Sequence, residues 1–220
     1  MTEARFEPLE FEPIPEAEML ARATSFERDL SRRRSVRHFK TDPVPRALLE
    51  SVLKCAGHAP SGAHQQPWTF VVVSHPETKR RIRAAAEAEE QENYGGRMAP
   101  EWIDVLRPLG TDAHKPCLED APALIVVFRQ AYGEAGGKKF KHYYTQESVG
   151  IAVGFLLAAL HRAGLCSLTH TPSPMGFLEK ILERPPAERA FVLIPVGYPT
   201  DKCEVPALDR KALDEFCVWR

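Results

Sequence analysis

Three segments of the chain gather side chains able to do chemistry. The first, Ser31-Arg-Arg-Arg-Ser-Val-Arg-His-Phe-Lys40, sets Arg33, Arg34 and Arg37 close together, with Arg210 much later. Guanidinium groups stay charged and grip phosphate oxygens in pairs, so a cluster where a helix gives way to a strand can cradle a phosphate monoester. The same residues also fit a solvated basic helix end favoured by the helix dipole, or a nucleic-acid patch. The second, Ala59-Pro-Ser-Gly-Ala-His-Gln-Gln-Pro-Trp68, is a polar loop of small residues between a helix and an apolar strand. Small side chains let a backbone approach a planar ligand, and an N–H such as that of Ala63 can donate to an anionic oxygen. Ser, Gly and Pro also dominate ordinary turns. The third, Thr169-His170-Thr171-Pro172, reads as a short strand ending in hydroxyls, although threonine is a common strand former for its own sake.

Other familiar chemistry is missing. The chain has no G-x-G-x-x-G after a strand, no H-E-x-x-H and no G-x-S-x-G. Gly133-Glu-Ala-Gly-Gly-Lys-Lys139 imitates a phosphate loop, but the glycine spacing is one short and a lysine replaces the hydroxyl, so it reads as a surface turn. The five cysteines are scattered without a C-x-x-C pair, which argues against a disulfide framework or zinc site and for a reducing, cytoplasmic setting.

The elements that must carry these segments follow from periodicity. Residues 1–15, with Pro8, Pro13 and Pro15 among glutamates, read as an extended arm, and the rest as one domain over 16–220 ending in a second arm over 205–220. Met19, Leu20, Ala23, Phe26 and Leu30 predict a helix with one packed face, and a second helix spans about 46–59, with Pro45 near its start and Pro60 at its end. Apolar runs at 68–74, 121–129 and 190–196 are strands. A charged helix over about 77–93 stops at Gly95-Gly96, leaving 94–117 as a mobile lid. The helix at 147–163 is apolar almost all round, which implies burial on every side and a subunit interface. Helices clustered before, between and after a few strands give an α+β class.

Composition narrows the partners. In 220 residues, 29 Lys and Arg nearly cancel 30 Asp and Glu, leaving a net charge of −1, so no global field draws the protein to nucleic acid or anionic lipid. The N-terminus is acidic and proline-bearing, unlike a secretory leader, and the longest apolar run, 149–160, falls well short of the roughly 20 residues that span a bilayer. A soluble protein is expected.

The three segments, in this order and at these separations, together with Pro67-Trp-Thr-Phe-Val-Val-Val73 and Leu193-Ile-Pro-Val-Gly-Tyr-Pro199, resemble the FMN-dependent nitroreductase superfamily, and most closely its halotyrosine-dehalogenating branch. The resemblance covers about 16–210. It implies a nitroreductase-like fold, a central, mostly antiparallel sheet flanked by helices, in a domain-swapped homodimer with FMN at the subunit interface. It assigns the FMN phosphate to Arg33, Arg34, Arg37 and Arg210, with Ser35 and Val36 nearby. Ser61 and Gly62 would line the flavin from the other subunit, and the Ala63 N–H would hold the substrate phenolate. Thr169, His170 and Thr171 would run along the flavin, His170 through its backbone and Thr171 through a hydroxyl on N5 that favours single-electron steps. Histidine stands where the resemblance leads one to expect a small hydroxyl residue.

The resemblance further points to Glu90, Tyr94 and Lys115 as a substrate triad. The physics suits an amino-acid zwitterion: its ammonium wants a carboxylate, and its carboxylate a phenol O–H and an ammonium. The implied reaction is reductive dehalogenation of mono- and diiodotyrosine, and of bromo- and chlorotyrosine, with NAD(P)H as ultimate reductant through a flavin reductase or a ferredoxin-type donor. Alternatives are a two-electron nitroreductase or quinone reductase, which has no use for a zwitterion clamp, and a non-catalytic halotyrosine-binding flavoprotein.

Overall fold

A computed structural model describes residues 4–220; the first three residues of the arm expected over 1–15 lie outside it. The chain divides into two compact units between Arg33 and Arg34. In the first, residues 4–15 form no helix or strand and lead into α1 (Glu16–Ser31). The expected apolar stripe is there, but no residue of α1 is buried, and Met19, Leu20 and Phe26 are exposed.

The second unit is built on a four-stranded antiparallel sheet, in the order β1-β2-β6-β5, from β1 (Trp68–Val73), β2 (Ala123–Gln130), β5 (Cys166–Ser167) and β6 (Glu188–Gly197). β2 lies in the middle, pairing Ile125 with Ile194 and Val126 with Leu193. Its two sides are both covered, which explains a nearly unbroken apolar run. Leu124, Val126 and Phe128 pack with Ile82 and Ala86 of α3 (Pro76–Glu92) and Leu178 of α7 (Gly176–Ile181). Ala123, Ile125 and Val127 pack with Leu49, Val52 and Ala56 of α2 (Arg46–Gly57) and Val149, Val153, Leu156 and Leu160 of α6 (Thr145–Arg162).

Two elements differ from expectation. The lid contains a helix, α4 (Pro100–Leu106), and is followed by the short α5 (Cys117–Asp120). The expected surface turn is the exposed tip of a hairpin of β3 (Tyr132–Ala135) and β4 (Lys138–Lys141), turned by Gly136 and Gly137 at φ 56° and 74°. That backbone belongs to the two-residue turns that match strand twist. Among the described residues no helix is long and apolar enough to cross a membrane.

Gly197 ends β6 because nothing larger fits: a Cβ there would lie 2.5 Å from Pro122 Cδ. Gly197→Ala is expected to destabilise the fold by about 1–3 kcal/mol through overpacking, read as a lowered midpoint in urea unfolding. An unchanged midpoint would contradict that close approach.

Candidate functional site

The buried stripe of α3 runs straight on into a cavity. Ile82 and Ala86 face the core, and the same spacing carries Glu90 and then Asn93 to the wall of a space of about 790 Å³. Beyond Glu92 the helix opens into a wider turn, Asn93–Arg97, in which Gly96 takes φ 136°, a conformation a side chain would resist. Asn93 anchors this turn through Nδ2, which donates to the Ser173 carbonyl at 3.0 Å. α4 and the loop after it form the outer wall with Trp102, Leu106 and Leu109.

Glu90, Tyr94 and Lys115 meet in this cavity, joined by Arg37, Thr169, His170 and Thr171. Lys115 is held at both ends. Its backbone N–H donates to Glu87 Oε1 at 2.7 Å, and Glu87 is fixed in turn by Arg83 at 2.8 Å. Its Nζ donates to Thr111 Oγ1 at 3.0 Å and to the Asp112 carbonyl, and stands 5.8 Å from the centre of the Tyr94 ring. The Tyr94 hydroxyl donates to the Thr111 carbonyl at 3.1 Å.

Burial dominates the electrostatics. It raises the Glu90 carboxyl above the usual range, which Lys115 partly opposes, and lowers the Lys115 ammonium, which Glu90 partly opposes. Tyr94 is raised by burial and by the Glu90 charge. Burial also pushes the Cys117 thiol up to about 11, so it lines the cavity as a neutral group. Each charge here lacks a full complement of partners, as in a site built to receive an ion pair.

Other expected residues lie elsewhere in the chain. Ser61, Gly62 and Ala63 form a tight turn against the start of α6, where the Gly62 N–H donates to Ser148 Oγ at 3.2 Å. Ala63 is exposed there with φ 49°. Arg34 donates to the Pro206 carbonyl, Arg210 is exposed, and Arg33 closes the first unit with its N–H on the Leu30 carbonyl at 3.0 Å. Ser35 bridges to Ser167, and Val36 is a core residue whose N–H donates to the Ser167 carbonyl at 3.1 Å.

His170 departs from the expected backbone role. Its N–H donates to the Leu193 carbonyl at 2.8 Å and its carbonyl accepts from the Leu193 N–H at 2.9 Å, so the main chain belongs to the sheet. Its ring is buried, while Thr169 and Thr171 on either side are exposed, the alternation of a strand. Sequence reasoning missed Asn93, Thr111 and Asp112. Only Asn93 carried a signal, since it continues the Ile82, Ala86, Glu90 stripe.

Residues 30–198 match the nitroreductase family model. An iodotyrosine deiodinase of Haliscomenobacter hydrossis is 57% identical over 92% of this chain and 90% of its own length. The human iodotyrosine deiodinase 1 is 46% identical over 96% of this chain and 74% of its own length. A crystal structure of oxidized iodotyrosine deiodinase bound to FMN and 3-iodo-L-tyrosine superimposes with a TM-score of 0.75 at 33% identity, over 88% of this chain and all of that one. The chain belongs to the nitroreductase family, in the group of the iodotyrosine deiodinases.

Proposed function

We propose that this chain is an FMN-dependent enzyme that reductively removes iodide from iodotyrosines, giving tyrosine. The observation that carries the reading is the convergence of Glu90, Tyr94 and Lys115 on one cavity, with complementary charges for an amino-acid zwitterion. The balance is one carbon–iodine bond broken, two electrons and one proton taken up, and one iodide released. NAD(P)H is the ultimate electron source, delivered directly or through a flavin reductase or ferredoxin-type partner.

The donor set fits a flavin mononucleotide. Thr169 and Thr171 are exposed and line the same cavity as Arg37, while Arg34 spends one of its five N–H groups on Pro206. Arg33, Arg34, Arg37 and Arg210 would hold the phosphate, Ser35 would assist, and Thr171 would donate to N5. When bound, the flavin supplies the electrons, and the protein supplies orientation and tuning. Glu90 takes the substrate ammonium; Tyr94 and Lys115 take its carboxylate. The lid from 94 to 117 then excludes water, which strengthens each of these contacts.

The working unit is a homodimer with exchanged arms. Ser61, Gly62 and Ala63 do not line the cavity, but they sit on α6, whose outer face carries exposed Ile151 and Phe155. Phe6, Leu9 and Phe11 near one end of the chain, and Phe216, Val218 and Trp219 at the other, are exposed as well. This much bare apolar surface suits a second copy, from which Ser61 and Gly62 would reach the flavin and the Ala63 N–H the phenolate.

The test is purification without added cofactor. A yellow protein is expected, whose flavin fluorescence falls on adding 3-iodotyrosine and which releases iodide and tyrosine once reduced with dithionite. Yellow protein that binds iodotyrosine but frees no iodide would make it a binding protein rather than an enzyme.

A further inference from the structure

His170 Nε2 and Glu90 Oε1 face each other across the inner wall of the cavity with no hydrogen bond between them. His170 is 9% exposed, and its two main-chain bonds to Leu193 hold its backbone in the sheet. Its Nε2 is buried and has no hydrogen-bond partner among the described residues. The approach to Glu90 Oε1, at 3.9 Å, is too long for a hydrogen bond.

Nor is that approach an ion pair. Burial, helped by the Lys115 and Arg37 charges, pushes the imidazole down to about 3, so the ring is neutral at any pH where the protein works. A neutral imidazole with its proton on Nδ1 turns the Nε2 lone pair outward, toward a carboxylate that can only accept. Native proteins rarely leave such an atom without a partner, and where they do it calls for a ligand or a function.

With the ring proton on Nδ1, one cationic N–H donor would satisfy both atoms and the Glu90 charge together. Two hydrogen bonds from one ammonium reach acceptors about 4 to 4.7 Å apart, so a slight outward turn of Glu90 would complete the pair. Lys115 does not fill this place: two of its Nζ donors go to Thr111 and Asp112, and the third is the one assigned to the substrate carboxylate. The charged or titratable groups around the Glu90–His170 gap include Lys115, Tyr94, Arg37, Asp112 and the neutral Cys117 thiol.

We infer that His170 carries its ring proton on Nδ1 and offers Nε2 as a second acceptor, beside Glu90, for the α-ammonium of the amino-acid substrate. This rests on the halotyrosine reading above and deepens it. It makes the site selective for a free primary ammonium, since a single carboxylate would take one N–H and leave the others unsatisfied in a buried place. A small hydroxyl at this position could not reach across the gap as the longer imidazole does.

Binding to the FMN-loaded protein, followed by flavin fluorescence, tests this with two ligands: 3-iodotyrosine and its des-amino analogue, 3-(4-hydroxy-3-iodophenyl)propionate. His170→Leu is expected to weaken 3-iodotyrosine by about 10- to 100-fold, the range for losing a hydrogen bond to a charged group, and to leave the analogue unchanged. His170→Gln, whose amide oxygen can replace Nε2, should recover most of the loss, whereas the shorter His170→Asn should not. If the Leu variant loses its flavin, the Gln and Asn pair makes the same comparison. Equal weakening of both ligands, or no weakening of either, overturns the role of His170 and leaves the halotyrosine reading standing. Failure of the unaltered holoprotein to bind 3-iodotyrosine overturns both.

Discussion

Lys115→Ala is expected to weaken 3-iodotyrosine binding by about 2–3 kcal/mol, or 30- to 150-fold, while leaving 3-iodotyramine, which lacks the carboxylate, bound as before. The size follows from burial. Lys115 is only 6% exposed, so its bond to a substrate carboxylate forms where water competes poorly. Burial also lowers its pKa, so the ammonium is lost at a lower pH than an exposed lysine would lose it. Raising pH should therefore weaken iodotyrosine binding earlier than an ordinary lysine would predict. The opposite limb belongs to Glu90, whose raised pKa makes it protonate early as pH falls. Affinity should peak between the two limbs, and Lys115→Ala should leave only the alkaline limb set by the substrate's own ammonium. Equal loss for iodotyrosine and iodotyramine would show instead that Lys115 only ties the lid together through Thr111 and Asp112.

Much of this arrangement is visible in the chain because local pattern and tertiary demand coincide. The run Ala123 to Phe128 reads as a strand and is covered on both sides, and Gly95-Gly96 ends α3 where the backbone must turn. The failures have physical causes. α4 is too short for a period to emerge, and its Trp102 and Val105 are exposed in this chain, so no core stripe marks it. The β3–β4 hairpin is charged on both arms, so alternation is absent and only Gly136-Gly137 betrays the turn. Thr111 and Asp112 act through a carbonyl and a hydroxyl brought to Lys115 by the loop's path, which composition does not encode. The alternation Thr169, His170, Thr171 could have been read from sequence as out, in, out. The approach of the imidazole to Glu90 depends on tertiary placement, which that alternation does not encode.

The helix α6 offers the second large effect. Its inner face, Val149, Ala152, Val153, Leu156 and Leu160, is buried against the sheet, but Ile151 and Phe155 are each 43% exposed, and the intervening Gly150 and Gly154 keep that side flat. The burial on every side expected from its apolar sequence would need a second chain. Ile151→Glu places a charge on a surface that is already wet in one chain, so the isolated fold should lose no more than about 0.5 kcal/mol. At a dimer interface the same charge would be buried without a partner, at a cost of several kcal/mol. The variant is expected to sediment as a monomer, to melt as a folded protein, and to purify colourless, because a flavin site needing Ser61 and Gly62 from the partner would be incomplete. A dimeric Ile151→Glu would place the interface elsewhere. A yellow, active monomer would mean that one chain builds the whole site, and that the turn at Ser61 to Ala63 serves only to pack against α6.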